Sequence, residues 1–249
     1  MSLFLHQLKA EQKLFWRSRE LAFFTFLLPI LFFLLLGSAY GDDEIEGVSG
    51  YKYLLAGMIG YGAASTTFAG LALLLVVRRE SGVLKRLRAT PLPPATYVAA
   101  VLASIILIFV LEAAILIGLG RFAYDVPLPD SLLSLILVVL LGGASFAALG
   151  IGLTALIRSA EGSSAVVNAL YLPLSFISGA FFSADTFPDV LQKLAAVLPL
   201  SHLIGLTRDV MVYDDAIWDH LDNVAVVAAW GVGGVIVAIR GFRWEPRER

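Results

Sequence analysis

Six apolar blocks, each about twenty residues or longer, take up most of this chain and leave only short polar stretches between them. They run over 21–40, 54–77, 98–120, 132–157, 162–182 and 221–239. A helix rises ~1.5 Å per residue and the hydrocarbon core of a bilayer is ~30 Å thick, so each block is long enough to cross it. The fold class this predicts is an all-α integral membrane protein with six transmembrane helices. Charged residues make up only 15% of the chain, against roughly a quarter in a soluble domain. A soluble domain on one anchor is excluded too, because the apolar residues gather into several such blocks and not one long run. A single domain over 1–249 is expected.

The first block follows a charged opening with Lys9, Lys13, Arg17 and Arg19 and precedes Asp42, Asp43, Glu44 and Glu46. A cleaved secretory signal fits poorly, since the lead is long and no small-residue cleavage site before Gly41 is convincing. Lys and Arg in short loops stay on the cytoplasmic side. Six crossings place both termini on one side, together with 78–88 and Arg158, and that side then holds fourteen of the eighteen basic residues. The other side holds Lys52, Arg121, Lys193 and Arg208 with thirteen acids. Both termini, including Arg240, Arg243, Arg247 and Arg249, therefore read as cytoplasmic. Between 185 and 220, the stretch 190–200 is interrupted by Gln192 and Lys193 and closed by Pro199. It is too short to cross, so short re-entrant or surface helices are expected there on the outer side.

Two interfacial segments follow from the pattern. In the opening, Phe4, Leu5, Leu8, Phe15 and Trp16 gather on one side of a helical wheel and Lys9, Lys13 and Arg17 on the other, while Glu11, Gln12 and Arg19 break the pattern. Between blocks two and three, Val83, Leu84 and Leu87 alternate with Lys85, Arg86 and Arg88 before Pro91, Pro93 and Pro94 stop the helix. A rigid basic helix with exposed leucines can pass force from a cytoplasmic partner into two spans. Five basic residues can equally hold the loop inside against anionic lipid, and local chemistry leaves both readings open.

Within the spans, Glu112 is the one acid well inside a block; facing lipid would cost ~3 kcal/mol or more, so it should face protein or a polar cavity. Asn168 and Pro173, followed by Ser175, Ser178 and Gly179, free backbone groups and offer polar partners to the interior, as a hinge or as a static kink. Gly142, Gly143, Ala147, Gly150 and Gly152 allow close helix approach, within the chain or between subunits.

Catalytic chemistry is thin. Histidine occurs only at 6, 202 and 220, with no His-Glu-x-x-His pattern, and cysteine is absent, so no metal site is expected. Asp214, Asp215, Asp219 and Asp222 near His220 read as solvated acids at a helix start, with a cation site as the other reading. A formal charge of −2 gives no whole-chain attraction to nucleic acid. No G-x-x-x-x-G-K-[S/T] loop occurs, so the chain is not expected to hydrolyse ATP or to bind a cofactor itself.

The run Arg79-Glu80-Ser81-Gly82-Val83-Leu84-Lys85-Arg86-Leu87-Arg88-Ala89-Thr90-Pro91-Leu92 resembles a segment of ABC-2 type transporter permeases. A second set is similar to that family's fifth span and outer helices: Asn168, Pro173, Ser178 to Phe182, Phe187-Pro188, Leu191, Leu198-Pro199-Leu200 and Arg208. Ser183 stands where the family commonly has Pro. The resemblance implies the transmembrane subunit of an ABC exporter of the drug, lipid or polysaccharide type. Its partners would be a second permease subunit, identical or homologous, and two copies of an ATP-binding subunit that carries ATP and Mg2+. It also implies a coupling segment that includes Glu80, Gly82, Leu84, Arg86, Leu87, Arg88, Thr90 and Pro91, with Leu84 and Leu87 giving apolar contact and Arg86 or Arg88 a pairable charge. Glu112, Asn168, Pro173 and Gly179 are the candidate polar or hinge positions in the membrane. Export of a hydrophobic or amphipathic substrate across a bacterial or archaeal cytoplasmic membrane is the function expected. Glycan export within the same family, an ion-coupled secondary transporter and a non-catalytic assembly subunit are the alternatives.

Overall fold

A computed structural model describes residues 2–41, 43–157 and 159–245. Asp42, Arg158, Arg247 and Arg249, on which part of the charge reading rests, lie outside the described residues.

Helix α1 (Leu3–Arg17) opens on Ser2, whose hydroxyl accepts from the Leu5 amide and caps the first turn. Ser18 breaks the helix, and α2 (Arg19–Tyr40) continues with Leu21, Phe23, Phe24, Leu31 and Leu35 exposed, as a lipid-facing helix requires. A two-residue turn at Glu46 and Gly47, both at positive φ, then joins β1 (Glu44–Ile45) to β2 (Val48–Ser49) in a small antiparallel hairpin. Sequence patterning gives no sign of these strands, which are only two residues each.

The second span is continuous from Gly50 to Glu80 but changes winding midway. Helix α3 (Gly50–Gly62) passes into a π-helical segment (Ala63–Gly70) and then into α4 (Leu71–Glu80). Every residue of α3 from Tyr53 onward is buried, so this helix forms the centre of the bundle, packed on α2, α6 (Pro94–Tyr124) and α10 (Pro199–Val212). A π segment in a long helix is uncommon and concentrates at functional sites.

Helix α7 (Leu132–Thr154) packs along α11 (Leu221–Gly241). The contact is backbone on backbone: a Cβ on Gly234 would lie 2.6 Å from the Leu149 amide nitrogen, and one on Gly152 would lie 3.0 Å from the Gly234 carbonyl oxygen, while one on Gly150 would lie 2.7 Å from the Phe68 carbonyl oxygen of the π segment. The glycines of α7 are thus consumed inside the chain, against α11, the π segment, α6 and α10. No subunit contact is needed to explain them.

Among the described residues, five helices are long and apolar enough to cross a membrane: Arg19–Tyr40, Gly50–Glu80, Pro94–Tyr124, Leu132–Thr154 and Ile217–Gly241. A sixth exists only if α9 (Asp189–Ala195) and α10, bent by 78° at their junction, count as one span. The set therefore differs from the six expected blocks. The block 162–182 becomes α8 (Ala160–Ile177), of 18 residues, and does not stand among the five. Glu161, Asn168 and Pro173 dilute its apolar character, and Gly179 at φ 78° turns the chain before Phe181 and Phe182. The short helices expected between 185 and 220 are present as a 3-10 turn (Ala184–Thr186), α9 and α10.

Candidate functional site

Three polar constructions interrupt this apolar bundle. The first lies at the end that carries α1 and α5 (Val83–Arg88). Arg79, at the end of α4, is 2% exposed and donates to the carbonyls of Thr154 (2.9 Å) and Ile157 (2.7 Å), while its Nε donates to Glu80 at 3.1 Å. A helix end leaves carbonyls unpaired, and here a buried guanidinium from another helix satisfies those at the end of α7. Its neighbour Arg78 donates to Glu11 of α1 at 2.7 Å and to the Tyr97 hydroxyl of α6 at 2.8 Å. Gln12 donates to both the carbonyl and the hydroxyl of Ser104, each at 3.0 Å. Two adjacent arginines thus tie four helices together directly above the basic turn.

On that platform Gly82 adopts φ 70°, which reverses the chain into α5. Leu84 is completely buried, in a cluster with Leu71, Leu75, Tyr97 and Val101, and Leu87 is partly buried against the same cluster. The expectation of two leucines exposed for docking is therefore corrected at Leu84, which is core: a six-residue helix lying on the bundle must bury its apolar edge to be held there. Glu80 is half-buried and engaged with Arg79. What the turn presents outward is Lys85, Arg86, Arg88, Thr90 and Pro91. Thr90 closes the helix by donating to the Leu87 carbonyl at 2.6 Å, and Pro94 starts α6 at a position where proline's missing N–H costs nothing.

The second construction is a cavity of about 460 Å³ between α1, α2, α3, the π segment, α4, α6 and α8. Its walls are mostly apolar, among them Phe24, Leu28, Pro29, Leu73 and Ile105. Glu11 and Arg78 close one end, and Tyr61, Ser65, Thr66, Asn168 and Tyr171 line it nearer the π segment. Behind Thr66 sits Glu112, 1% exposed: Thr66 donates to its Oε2 at 2.6 Å, and Oε1 has no hydrogen-bond partner. Gly62 provides the room, since a Cβ there would lie 2.6 Å from Oε1.

The third lies at the opposite end, where the hairpin meets α3, α8 and α10. Arg208 of α10 stacks over the Tyr53 ring at 3.5 Å, donates to the Gly179 carbonyl at 2.6 Å and stands 3.9 Å from Glu46. Glu46 also accepts from the hydroxyls of Tyr53 (3.2 Å) and Ser183. The departure from the family pattern at Ser183 thus supplies a donor that proline lacks. Nearby, His220 stands between Asp215 (3.0 Å) and Asp209 (3.4 Å), and Asp214 accepts from the Asp130 amide. Among the described residues no cluster of three or more His, Asp or Glu is arranged to hold a metal ion.

The sequence-predicted membrane positions do not form one site. Glu112 is buried against the π segment, whereas Asn168 and Pro173 lie on the exposed side of α8, with Asn168 reaching the cavity rim. Within this chain α8 buries only Ser163, Val167 and Ser175 among the described residues, which leaves Asn168 and Pro173 outside the core. Gly179 is a turn residue of the Arg208 cluster. Residues that sequence reasoning passed over carry much of the polar structure: Glu11, Gln12, Arg78, Arg79, Ser104, Glu46 and Tyr53. One signal was available, for Glu11 falls in the middle of the Phe4–Leu8–Phe15 face of α1, and an acid centred on an apolar face needs a partner.

A bundle of long apolar helices, crossing a bilayer several times and carrying its polar groups in buried junctions, makes this an all-α, multi-pass membrane protein. The chain belongs to the ABC-2 type transporter family, whose pattern matches residues 2–212. Nodulation protein J of Rhizobium leguminosarum bv. trifolii is 42% identical over 82 residues, 33% of this chain and 31% of the relative. A probable multidrug ABC transporter permease, YbhR of Escherichia coli (strain K12), is 23% identical over 154 residues, 61% and 42% of the two chains. Nodulation protein J of Rhizobium meliloti (strain 1021) is 28% identical over 189 residues, 74% and 71%. The chain spans only 31% and 42% of the lengths of the first two of these relatives.

Proposed function

We propose that this chain is the permease subunit of an ATP-driven exporter, with ATP bound and hydrolysed on a separate cytoplasmic subunit. The observation that carries the reading is the Arg79 clamp. The outward basic face of α5 is joined to the ends of α4 and α7 through a buried guanidinium, so a displacement imposed on α5 moves two long helices instead of being lost in a loop. Family membership and the absence of a phosphate-binding loop from this sequence support the same division of labour.

In this mechanism Lys85, Arg86, Arg88 and Pro91 meet the ATP-binding subunit, two copies of which act on two permease subunits. Closure of those subunits on ATP presses the basic turns, and Arg78 carries the motion to α1 and α6 through Glu11 and Tyr97. We further propose that α8 crosses as a sixth span, with Asn168 and its exposed face covered by the second subunit, and that both termini are cytoplasmic. The mostly apolar cavity, polar at its ends, suits a hydrophobic or amphipathic substrate drawn from the membrane.

The test is reconstitution with an ATP-binding subunit of the ABC type. Wild type is expected to move an amphipathic dye in an ATP-dependent way, and Arg86→Glu with Arg88→Glu to lose both subunit association and transport while the bundle stays folded. Association and transport that survive the charge reversal would overturn the docking assignment.

A further inference from the structure

A carboxyl oxygen without a hydrogen-bond partner among the described residues stands behind the cavity wall. At one end Arg78 is neutralised by Glu11 at 2.7 Å, so the basic group contributes no net attraction for an anion. At the other end Glu112 has no cationic partner among the described residues, one oxygen has no hydrogen-bond partner, and the residue is 1% exposed. Buried charges in proteins are paired, and acids within membrane spans mark pathways or their ligands.

Of the polar groups at the end near Glu112, Asn168 offers the cavity both a donor and an acceptor, whereas Thr66 and Ser65 spend their hydrogens inside the protein. Thr66 commits its only hydroxyl hydrogen to Glu112, so it offers the cavity lone pairs alone. Ser65 directs its hydrogen to the Gly62 carbonyl and does the same. The rings of Tyr61 and Tyr171, with centroids 6.3 Å apart, line the same end. Acceptor oxygens, aromatic rings and a carboxyl behind them are surroundings that favour a cation over an anion. The π segment creates this arrangement by placing Thr66 between the cavity and α6.

We infer that the cavity selects amphipathic substrates bearing a single positive charge, such as a quaternary ammonium on an apolar body, and that Thr66 and Glu112 form its cation-recognising end. This deepens the export reading by naming a substrate class, but binding to the permease alone tests it without ATP or a partner.

The experiment uses the purified chain in lipid nanodiscs and two fluorescent probes with the same dansyl-undecyl body, one ending in trimethylammonium and the other in an alcohol. Wild type is expected to bind the ammonium probe at least about tenfold more tightly than the alcohol. Glu112→Gln, which keeps the shape, should bring the two affinities within about twofold while alcohol binding is unchanged. Thr66→Val serves as a second variant should the first fail to fold, and is expected to lower ammonium affinity about threefold or more with alcohol binding retained. Equal binding of both probes by wild type, or an ammonium preference that persists in both variants, overturns the inference. Loss of ATP-dependent transport with the ammonium preference intact would count against the export reading and leave this one standing.

Discussion

The guanidinium of Arg79 donates 2.7 Å to the carbonyl of Ile157, just beyond the end of α7, from a side chain that is almost wholly buried. With the companion bond to Thr154, it fixes the end of one membrane helix to the end of another immediately before the basic turn. Arg79→Ala leaves two carbonyls without their donor and is expected to cost about 1–3 kcal/mol. Arg79→Lys, whose ammonium cannot span both oxygens in a fork, should recover only part of that. Thermal unfolding in detergent reads the stability. ATP-stimulated transport, where the partner is present, should fall further than stability does.

Leu84 and its charged neighbours should separate cleanly. Leu84→Ala opens a cavity in the cluster formed with Leu71, Leu75 and Tyr97 and is expected to cost about 2–5 kcal/mol. Arg86→Glu with Arg88→Glu changes only exposed groups and should alter stability by no more than about 0.5 kcal/mol. Melting curves of the two variants, set against co-purification of the ATP-binding subunit, check the contrast.

The α7–α11 contact predicts opposite outcomes at adjacent glycines. Gly234→Ala drives a methyl against the Leu149 backbone and should destabilise by about 1–3 kcal/mol. Gly233→Ala meets open space and should leave stability unchanged or raise it by up to about 1 kcal/mol through helix propensity. Guanidinium-free thermal melts of both in the same detergent decide between them.

At the far end, Tyr53 and Arg208 should be energetically coupled. A double-mutant cycle with Tyr53→Leu and Arg208→Met is expected to give a coupling of about 0.5–2 kcal/mol, because the cation lies 3.5 Å from the ring centroid in a partly desolvated position. Ser183→Pro should cost about 0.5–1.5 kcal/mol by removing the hydroxyl that donates to Glu46. A coupling indistinguishable from zero would mean that the stacking is geometric only.

The long helices were legible in the sequence because a span is a local requirement: about twenty apolar residues in succession, wherever they pack. The stop after α5 was legible as well, at Pro91, Pro93 and Pro94. Leu84 was misjudged because a short amphipathic helix has an apolar edge that reads the same whether it meets a partner or its own bundle. Glu11 and Gln12 looked like flaws in α1 because their partners, Arg78 and Ser104, are 67 and 92 residues away. The cavity was beyond reach for the same reason, since its walls come from six different helices.

By itself, then, the sequence determined the membrane character, the helical class, the family pattern and the place of the basic turn, all properties of consecutive residues. Tertiary structure decided which charges are paired, that Arg79 closes α7, that α8 lies largely uncovered, and that Glu112 stands unpaired behind Thr66. The physical reason is that the worth of a polar group in an apolar bundle is set by whichever distant residue comes within about 3 Å of it, and only the packing of the helices determines that neighbour.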